Sequence, residues 1–303
     1  MLVARHGYVV FERYYHEYGA ASWFHVASVT KSVTSALVGL ALRDGLLASV
    51  DQPLAEFFPA ADTRLTVRRL LTLTAGWQYR EGHLWSLAEV LHDPLVREPG
   101  AQFEYEDNAP HLLSALLSQV TGMNAAAFAQ RELFEPLGMW RQASSWREAA
   151  GTICRRRGEP SHASPGQERD RAPWLATQEG ISRGGFGLHL TLRDMARFGL
   201  LYASGGCWDG QQIIPPDYLE DSLRPQSPGG SPVWMPYGYL WWVPAWHRGR
   251  AALAAGWGGQ EIYVNRDLDL VIAVACTTKP ERPHNGGIIS RYLLPAVQDW
   301  ART

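Results

Sequence analysis

The sequence predicts an α+β fold, loosely described as α/β, in which one antiparallel sheet is built from strands at both ends of the chain. Near the N-terminus, β-prone residues at 2–4 and 8–11 flank a turn at Gly7, a pattern typical of a hairpin. Further β-rich segments follow at 251–255, 260–265 and 268–276, with residues 265–267 as a hairpin turn. Between the two ends, apolar residues recur mainly at helical spacing. We therefore expect a sheet flanked by helices, with a mostly helical region inserted in the sequence.

This pattern divides the 303-residue chain into two expected subdomains. Residues 1–48 and 190–303 form the sheet-containing one, and residues 49–189 form the inserted helical one, including a long loop at 141–185 rich in Arg, Ser, Pro and Gly. The predicted helices follow Ser28 up to Asp44, begin at Asn108 and end at Gly122, span about 124–133, begin at Thr191 with a capping-box pattern, and span about 288–300. The aromatic segment 237–243 is predicted as a strand.

Composition argues against several classes of function. Hydrophobic residues make up 46% and charged residues 19%, which indicates a sizeable core, and the net charge of −2 argues against a nucleic-acid or membrane-surface partner. No run reaches the roughly 18 apolar residues of a membrane span, and the first residues lack the features of a signal peptide, so we expect a cytoplasmic location. The three cysteines are far apart and no two histidines lie four residues apart, so we expect no metal and no cofactor.

Lysine is rare in this chain. Of 28 basic residues only Lys31 and Lys279 are lysines, which leaves 26 arginines. Lys31 lies three residues after Ser28 in the first turn of a predicted helix, so the two side chains share a face. A serine and an amine in this arrangement can act as a nucleophile and its proton acceptor, because lysine, unlike arginine, can lose its proton. Alternatively, Ser28 is only a helix cap and Lys31 a solvated cation.

Two further segments hold groups that such a serine would need. Tyr105 precedes the predicted helix at Asn108, and a nearby ammonium would favour its phenolate; packing is the alternative role. Gly256, Trp257 and Gly258 lie in a glycine-rich segment that we expect to open a strand, where a backbone N–H could face an oxyanion. A tight strand turn is the alternative there.

The three segments, in this order, resemble the serine β-lactamase and penicillin-binding-protein-like superfamily, most closely its class C-like branch with the family VIII carboxylesterases. The first motif, Ser-x-x-Lys, is matched by Ser28 and Lys31; the second, Tyr-x-Asn, is matched in part by Tyr105 and Asp107. The third, commonly Trp-x-Gly in the esterases, is matched from Trp257. Similar flanking segments lie at 71–76, 133–139 and 194–199, so the resemblance spans nearly the whole chain and implies a β-lactamase/transpeptidase-like fold.

The chain departs from the family pattern at two motifs. Asp107 stands where β-lactamases usually have asparagine, with Asn108 displaced by one position. Residues 254–256 read Ala-Ala-Gly where a Lys-Thr-Gly motif would hold a substrate carboxylate, and the Ser-Asp-Asn motif of class A enzymes is absent. Both departures favour an esterase-like or small-amide hydrolase over a dedicated β-lactamase.

The resemblance implies a metal-free serine hydrolase that forms an acyl-enzyme on Ser28. Lys31, partly neutral or paired with a Tyr105 phenolate, would remove the serine proton, and Tyr105 would protonate the leaving group. The N–H groups of Ser28 and Trp257 would form the oxyanion hole, with Gly256, Gly258, Asp107 and Asn108 around the substrate. The expected partner is a small-molecule ester or amide. The alternatives are a β-lactamase or D-amino-acid peptidase-like hydrolase, and a non-catalytic binding or sensor domain. The sequence leaves the oligomeric state open.

Overall fold

The computed structural model describes residues 1–80, 86–140, 173–244, 250–276 and 286–300. The first half holds β1 Leu2–Arg5, β2 Tyr8–Glu12, β3 Trp23–His25, α1 Val29–Arg43, α2 Val67–Leu71, α3 Leu87–His92, α4 Asn108–Thr121 and α5 Ala125–Ala129. The second half holds β4 His189–Thr191, α6 Leu192–Ala203, β5 Cys207–Trp208, β6 Gln211–Gln212, α7 Pro216–Ser222, β7 Ser227–Gly230, β8 Met235–Tyr237, β9 Ala251–Gly256, β10 Gln260–Asn265, β11 Leu270–Val274, α8 Gly286–Ile288 and α9 Leu294–Trp300. A 3₁₀ turn spans Leu54–Glu56, and π-helical turns span Gln130–Phe134 and Ile289–Leu293.

The main sheet joins the two ends of the chain, as the sequence predicts. Its five strands lie in the order β2-β1-β11-β10-β9, and every neighbouring pair is antiparallel. The hairpin β1–β2 turns at Gly7, whose φ of 76° lies in the left-handed region that glycine adopts without strain. Helix α6 packs on β1, β10 and β11, and α1 packs on β9 and β10. Every residue of β9, β10 and β11 is buried.

The predicted helices form where local signals specify them. Helix α4 ends at Gly122 with φ of 70°, and α6 begins with a complete capping box between Thr191 and Asp194. Helix α1 ends at Arg43, just before Asp44 and Gly45. Helix α5 continues through its π turn to Phe134, and the C-terminal helical run includes Gly286–Ile288 and ends at Trp300.

Helix α1 is the central buried helix of the molecule. All of its residues from Val29 to Ala41 are buried, including five polar ones. Three of those hydroxyls bond to distant segments: Ser32 donates to the Leu240 carbonyl at 2.7 Å, Thr34 to the Gly184 carbonyl at 2.8 Å, and Ser35 lies 3.0 Å from the Tyr218 hydroxyl. These bonds satisfy groups whose burial would otherwise be costly, and they fix the first turn of α1 in the fold.

Two expectations need correction or restriction. The segment 237–243 is not a strand beyond Tyr237, because Leu240 adopts φ of 57° and its backbone bonds to Leu71 and Ser32 instead of a sheet neighbour. Trp242 keeps sheet-like pairing through isolated antiparallel bridges to Tyr237 and Leu253. Of the predicted loop 141–185, residues 141–172 lie outside the described part of the chain. The division into two subdomains stays a prediction.

Among the described helices, no single one is long and apolar enough to cross a membrane. The pair Asn108–Thr121 and Ala125–Phe134, bent by 71°, meets the length and composition requirement when taken together.

Candidate active site

Ser28 lies at the N-terminal end of α1, and its hydroxyl does not cap the helix. Strand β3 leads into Ala27, whose φ of 47° is rare for a residue with a side chain and turns the backbone sharply into the helix. Ser28 is the N-cap residue, yet its side chain accepts no capping hydrogen bond, and its N–H donates to no acceptor within the described part of the chain. The alternative role of Ser28 as a side-chain cap is therefore wrong.

Lys31 lies one turn further along α1 and is buried, with only 1% of its surface exposed. Its ammonium donates to the Asp107 carboxylate at 2.5 Å, to the Gly185 carbonyl at 3.1 Å, and towards the Ser28 hydroxyl at 3.5 Å. These contacts use all three donors of an ammonium group. Lys31 is thus not a solvated surface lysine but the centre of a polar cluster beside Ser28.

The charge of Lys31 differs from one of our expectations. Burial alone lowers the pKa of Lys31, but its interactions with neighbouring acidic groups, first the charge and hydrogen bond of Asp107 and then Tyr105 and Glu106, outweigh burial and raise the pKa above its ordinary value. The resting lysine is therefore protonated rather than partly neutral. The reason is the ion pair with Asp107, whose side chain remains 42% exposed.

Tyr105 lies on the loop before α4 and faces Lys31. The Lys31 ammonium is 4.8 Å from the centroid of its ring, within the range of a cation–π contact. The ring also stacks on Trp242 at 5.4 Å, and Tyr237 meets it edge-on at 6.3 Å. These aromatic neighbours hold Tyr105 beside the ammonium.

The rest of the second motif divides between the site and the fold. Asp107 is the N-cap of α4 but makes no side-chain cap, so its carboxylate is available to Lys31. The buried Glu106 takes the capping role, accepting the Ala109 N–H at 3.0 Å, and burial raises the pKa of Glu106 to about 8. Asn108, expected near the substrate, instead donates its amide to Asp93 at 2.9 Å and is buried. The displaced asparagine thus connects the start of α4 to Asp93 by a hydrogen bond instead of facing Ser28.

The glycine-rich third segment forms the turn that follows β9 and opens β10, which begins at Gln260, so the expected strand start and the alternative tight turn are both present. Gly256 is the last residue of β9, an edge strand, and a Cβ atom there would lie 2.4 Å from the Val26 carbonyl. The end of β9 therefore approaches the backbone just before Ser28. Gly258 continues the turn with φ of 93°, and Trp257 is 43% exposed at its tip.

Ser28 opens into a cleft of about 930 Å³. Its lining includes Tyr105, Asp107, Trp242 and Trp257, so residues from all three motifs share one cavity. A volume of this size suits a small-molecule ligand. Gly256 and Gly258 flank Trp257 in the turn.

The sequence interpretation missed the segment around Gly184 and Gly185. Its backbone runs beside α1, where the Gly185 carbonyl accepts a hydrogen bond from Lys31 and the Gly184 carbonyl accepts one from Thr34. A Cβ atom on Gly185 would lie 2.4 Å from the Asp107 carboxylate, so only glycine fits there without displacement. The adjacent glycines are the signal available in the sequence, but they lie within the predicted long loop 141–185.

Within the described ranges, no group of three or more His, Cys, Asp or Glu side chains is arranged to hold a metal ion.

Comparisons with known proteins agree with this arrangement. The profile of the Beta-lactamase family matches residues 1–293. An uncharacterized protein from Alkalihalophilus pseudofirmus is 25% identical over 228 residues, which cover 73% of this chain and 60% of that relative, so the chain spans less than two thirds of the relative's length.

Two solved structures share the fold. A protein provisionally named as a 6-aminohexanoate-dimer hydrolase from Bacillus anthracis is similar with a TM-score of 0.78 and 18% identity, covering 99% of this chain and 79% of its own. The octameric penicillin-binding protein homologue from Pyrococcus abyssi gives a TM-score of 0.72 and 18% identity, covering 98% and 72%. With Ser28 lining the cleft, Lys31 buried beside it, and a family match over nearly its whole length, the chain belongs to the β-lactamase family and has the β-lactamase/transpeptidase-like fold.

Proposed function

We propose that this β-lactamase-family hydrolase forms an acyl-enzyme on Ser28 and hydrolyses carboxylic esters or small amides. One observation carries the proposal: a serine hydroxyl with no structural role lies 3.5 Å from a buried lysine, at the wall of a cleft of about 930 Å³. A nucleophile beside a positioned proton carrier is the arrangement that acyl transfer requires.

Acylation needs a group that can accept the serine proton, and a protonated Lys31 cannot do so. The hydrogen bond to Asp107 provides a route, because the ammonium proton that it carries can move to the carboxylate and leave a neutral amine. That amine takes the proton from the Ser28 hydroxyl as its oxygen attacks the carbonyl carbon. The departing serine proton thus ends on Lys31, and the original lysine proton ends on Asp107.

Tyr105 is placed to serve the leaving group. In this scheme its hydroxyl gives a proton to the departing oxygen or nitrogen, and the resulting phenolate is stabilised by the ammonium 4.8 Å from its ring. For deacylation the phenolate takes a proton from water, and the hydroxide formed attacks the acyl carbon. The serine oxygen then recovers its proton from Lys31, which retrieves its own from Asp107.

The oxyanion would be held by the N–H groups of Ser28 and Trp257. Support comes from the unused Ser28 N–H and from the close approach of Gly256 to Val26, which brings the start of the β9–β10 turn beside α1. Loss of one such donor typically slows acyl transfer about 10²- to 10³-fold.

The absence of a lysine or histidine at the third motif supports esters over β-lactams, and with it our assignment to the class C-like, family VIII branch. The name of the B. anthracis structural neighbour, a 6-aminohexanoate-dimer hydrolase, supports including small amides. The family match itself favours a second candidate, a β-lactamase or D-amino-acid peptidase-like hydrolase. Side-by-side rates on short-chain 4-nitrophenyl esters and on nitrocefin would separate the two.

The decisive test is Ser28→Ala. We expect at least about a 10³-fold loss of 4-nitrophenyl ester hydrolysis with an unchanged circular dichroism spectrum, because the covalent step is removed. A fluorophosphonate probe should add its mass to the Ser28 peptide of the native chain only. Ser49→Ala, an exposed serine outside the cleft, is the control and should retain activity. Full activity in Ser28→Ala would refute the acyl-serine mechanism, and a single burst without turnover in the native chain would indicate the sensor domain instead.

A further inference from the structure

We propose that Arg69 binds a carboxylate carried by the substrate in the cleft that Ser28 lines. This inference rests on the proposed function, and it names the class of substrate: an ester or amide with an acid group several bonds from the scissile carbonyl. Arg69 lies in α2, and its side chain lines the same cleft as Ser28.

Helix α2 carries two consecutive arginines with different roles. Arg68 is committed to the fold: its guanidinium binds the Asp51 carboxylate with both edges, at 2.6 and 2.8 Å, and also donates to the Tyr239 hydroxyl. Arg69 has no hydrogen bond or ion pair from its guanidinium to any residue of the described part of the chain. Five N–H donors therefore remain available on a permanent cation.

The carboxylates around the cleft are already paired. Glu104 binds Arg97 at 3.3 Å, and Asp107 binds Lys31 at 2.5 Å. Asp51, outside the cleft lining, is bound by Arg68, and its charge also acts on Arg69 without forming an ion pair with it. Within the described part of the chain no carboxylate forms an ion pair with Arg69, so an anionic ligand group could pair with it directly.

The guanidinium of Arg69 also packs against the backbone of the cleft wall. It lies against the backbone of Gly100, where a Cβ atom would come within 2.5 Å of its central carbon. Gly100 has φ of 93°, so the position favours glycine both for the backbone and for the space the arginine occupies. A planar fork held in one orientation suits two-point binding of a carboxylate, because less side-chain freedom is lost on binding.

Arg69 and Ser28 belong to different parts of the cleft lining. Arg69 packs against Gly100, whereas Tyr105, five residues further along this wall, faces Lys31 beside Ser28, and five residues of chain span at most about 17 Å. Arg69 makes no described hydrogen bond or ion pair with Ser28, Lys31 or Asp107, so we assign the carboxylate that it binds to a part of the substrate that a spacer joins to the scissile carbonyl. Phe103 and Trp242, which meet edge-on at 5.8 Å, give that part of the wall an apolar surface for the spacer.

The test compares matched substrates in the native chain and in Arg69→Gln. One pair is 4-nitrophenyl adipate monoester, with a free carboxylate, and its neutral methyl ester; the other is 4-acetoxybenzoate and its methyl ester, with the acid on the leaving group. We expect the native chain to prefer the acid of at least one pair. In Arg69→Gln, KM for that acid should rise about 10- to 100-fold with little change for the neutral ester or in kcat.

Arg64→Gln is the matched control. Arg64 is an exposed arginine paired with Asp62 and Glu98, outside the cleft, and its loss should leave the acid preference intact. Equal effects of Arg69→Gln on acid and neutral esters of both pairs, or no effect on either acid, would overturn the proposal.

A binding measurement separates this proposal from the esterase proposal. Monomethyl adipate and dimethyl adipate are titrated into the Ser28→Ala chain with and without Arg69→Gln, followed by the fluorescence of the cleft tryptophans. If no ester is turned over by the native chain, the proposed function fails, and binding alone decides the role of Arg69. Tighter binding of the monoester that Arg69→Gln abolishes supports the anion site, and equal affinities for both compounds refute it.

Discussion

The charge of Lys31 depends on the residue at position 107. An asparagine there could accept a hydrogen bond but could not oppose the burial that disfavours an ammonium; the Asp107 carboxylate does both, at 2.5 Å. A buried lysine that keeps its proton at rest needs a partner that can take the proton during catalysis. Asp107 is the described residue in hydrogen-bonding contact with Lys31 that can do so.

Replacing this carboxylate should change the pH dependence of stability. Because the pKa of Lys31 is raised in the folded state, its contribution is fully present below about pH 10 and lost only above. In Asp107→Asn, burial instead lowers the Lys31 pKa. The folded state then binds the Lys31 proton less tightly than the unfolded chain does. We expect a loss of about 1–3 kcal/mol in the free energy of unfolding at pH 7 that shrinks as the pH approaches 10, measured by urea denaturation.

Asp267→Asn is the matched control, because Asp267 is ion-paired and its side chain has the same 42% exposure. Its partner is an arginine, Arg250, rather than a lysine, so the small cost of this substitution should stay constant from pH 7 to 10. If the stability lost in Asp107→Asn were also constant from pH 7 to 10, the loss of Asp107 would not have lowered the pKa of Lys31.

The segment through Gly184 and Gly185 is the element that closes the polar cluster. It runs between α1 and α4: Thr34 of α1 donates to the Gly184 carbonyl, and Ser114 of α4 donates to the Ser182 carbonyl at 2.6 Å. With its backbone fixed on both helices, the Gly185 carbonyl can hold the Lys31 ammonium. The position of Lys31 is therefore set by three elements rather than by α1 alone.

A methyl group on Gly185 should disturb catalysis more than the fold. The added Cβ atom would press on two side-chain ends, the Asp107 carboxylate at 2.4 Å and the Lys31 ammonium at 3.2 Å, and these can move apart. We expect Gly185→Ala to lose about 10- to 100-fold in ester kcat/KM while its melting temperature falls by only a few degrees.

Substitutions at two other glycines serve as controls for this prediction. Gly184→Ala would meet the Pro110 carbonyl at 1.8 Å, a backbone atom, so that variant should lose stability first; Gly19→Ala meets nothing within 4 Å and should be neutral. Wild-type kcat/KM in Gly185→Ala would mean that the contact of Asp107 with Lys31 is not required.

The sequence predicted best what local chemistry determines. Helix α6 follows from the Thr191 and Asp194 capping box, and the Ser28–Lys31 spacing already places two groups on one helix face. It failed where distant contacts decide. Leu240 takes a positive φ to meet α1 and Leu71, and the Gly185 carbonyl meets Lys31 from 154 residues away in the chain. No short-range pattern specifies such encounters.

At the scale of the whole molecule, stability should fall as the pH rises because of Glu106. This glutamate is buried beside the ion pair, and burial raises its pKa to about 8. The folded state thus retains a proton that the unfolded chain releases near pH 4.3, so the stability present at low pH is lost as the pH rises towards 8. Glu106→Gln keeps an oxygen to accept the Ala109 N–H but does not ionise.

We expect the free energy of unfolding of Glu106→Gln to rise relative to that of the native chain between pH 5 and 8, by on the order of a few kcal/mol. Above pH 8 the difference should stay constant. Urea midpoints at pH 5, 6.5, 8 and 9 measure this. Glu135→Gln, on an exposed glutamate, should show a flat difference across the same range. A flat difference in Glu106→Gln too would show that Glu106 is ionised throughout.

The burial of Lys31 also bears on how the protein can be handled. The chain has two lysines, and the one beside the nucleophile is buried, protonated and bound on three sides. Amine-reactive reagents attack neutral, accessible amines, so dyes or resins coupled through amines would spare Lys31. Ordinary amine coupling should therefore leave the Ser28 cluster unmodified.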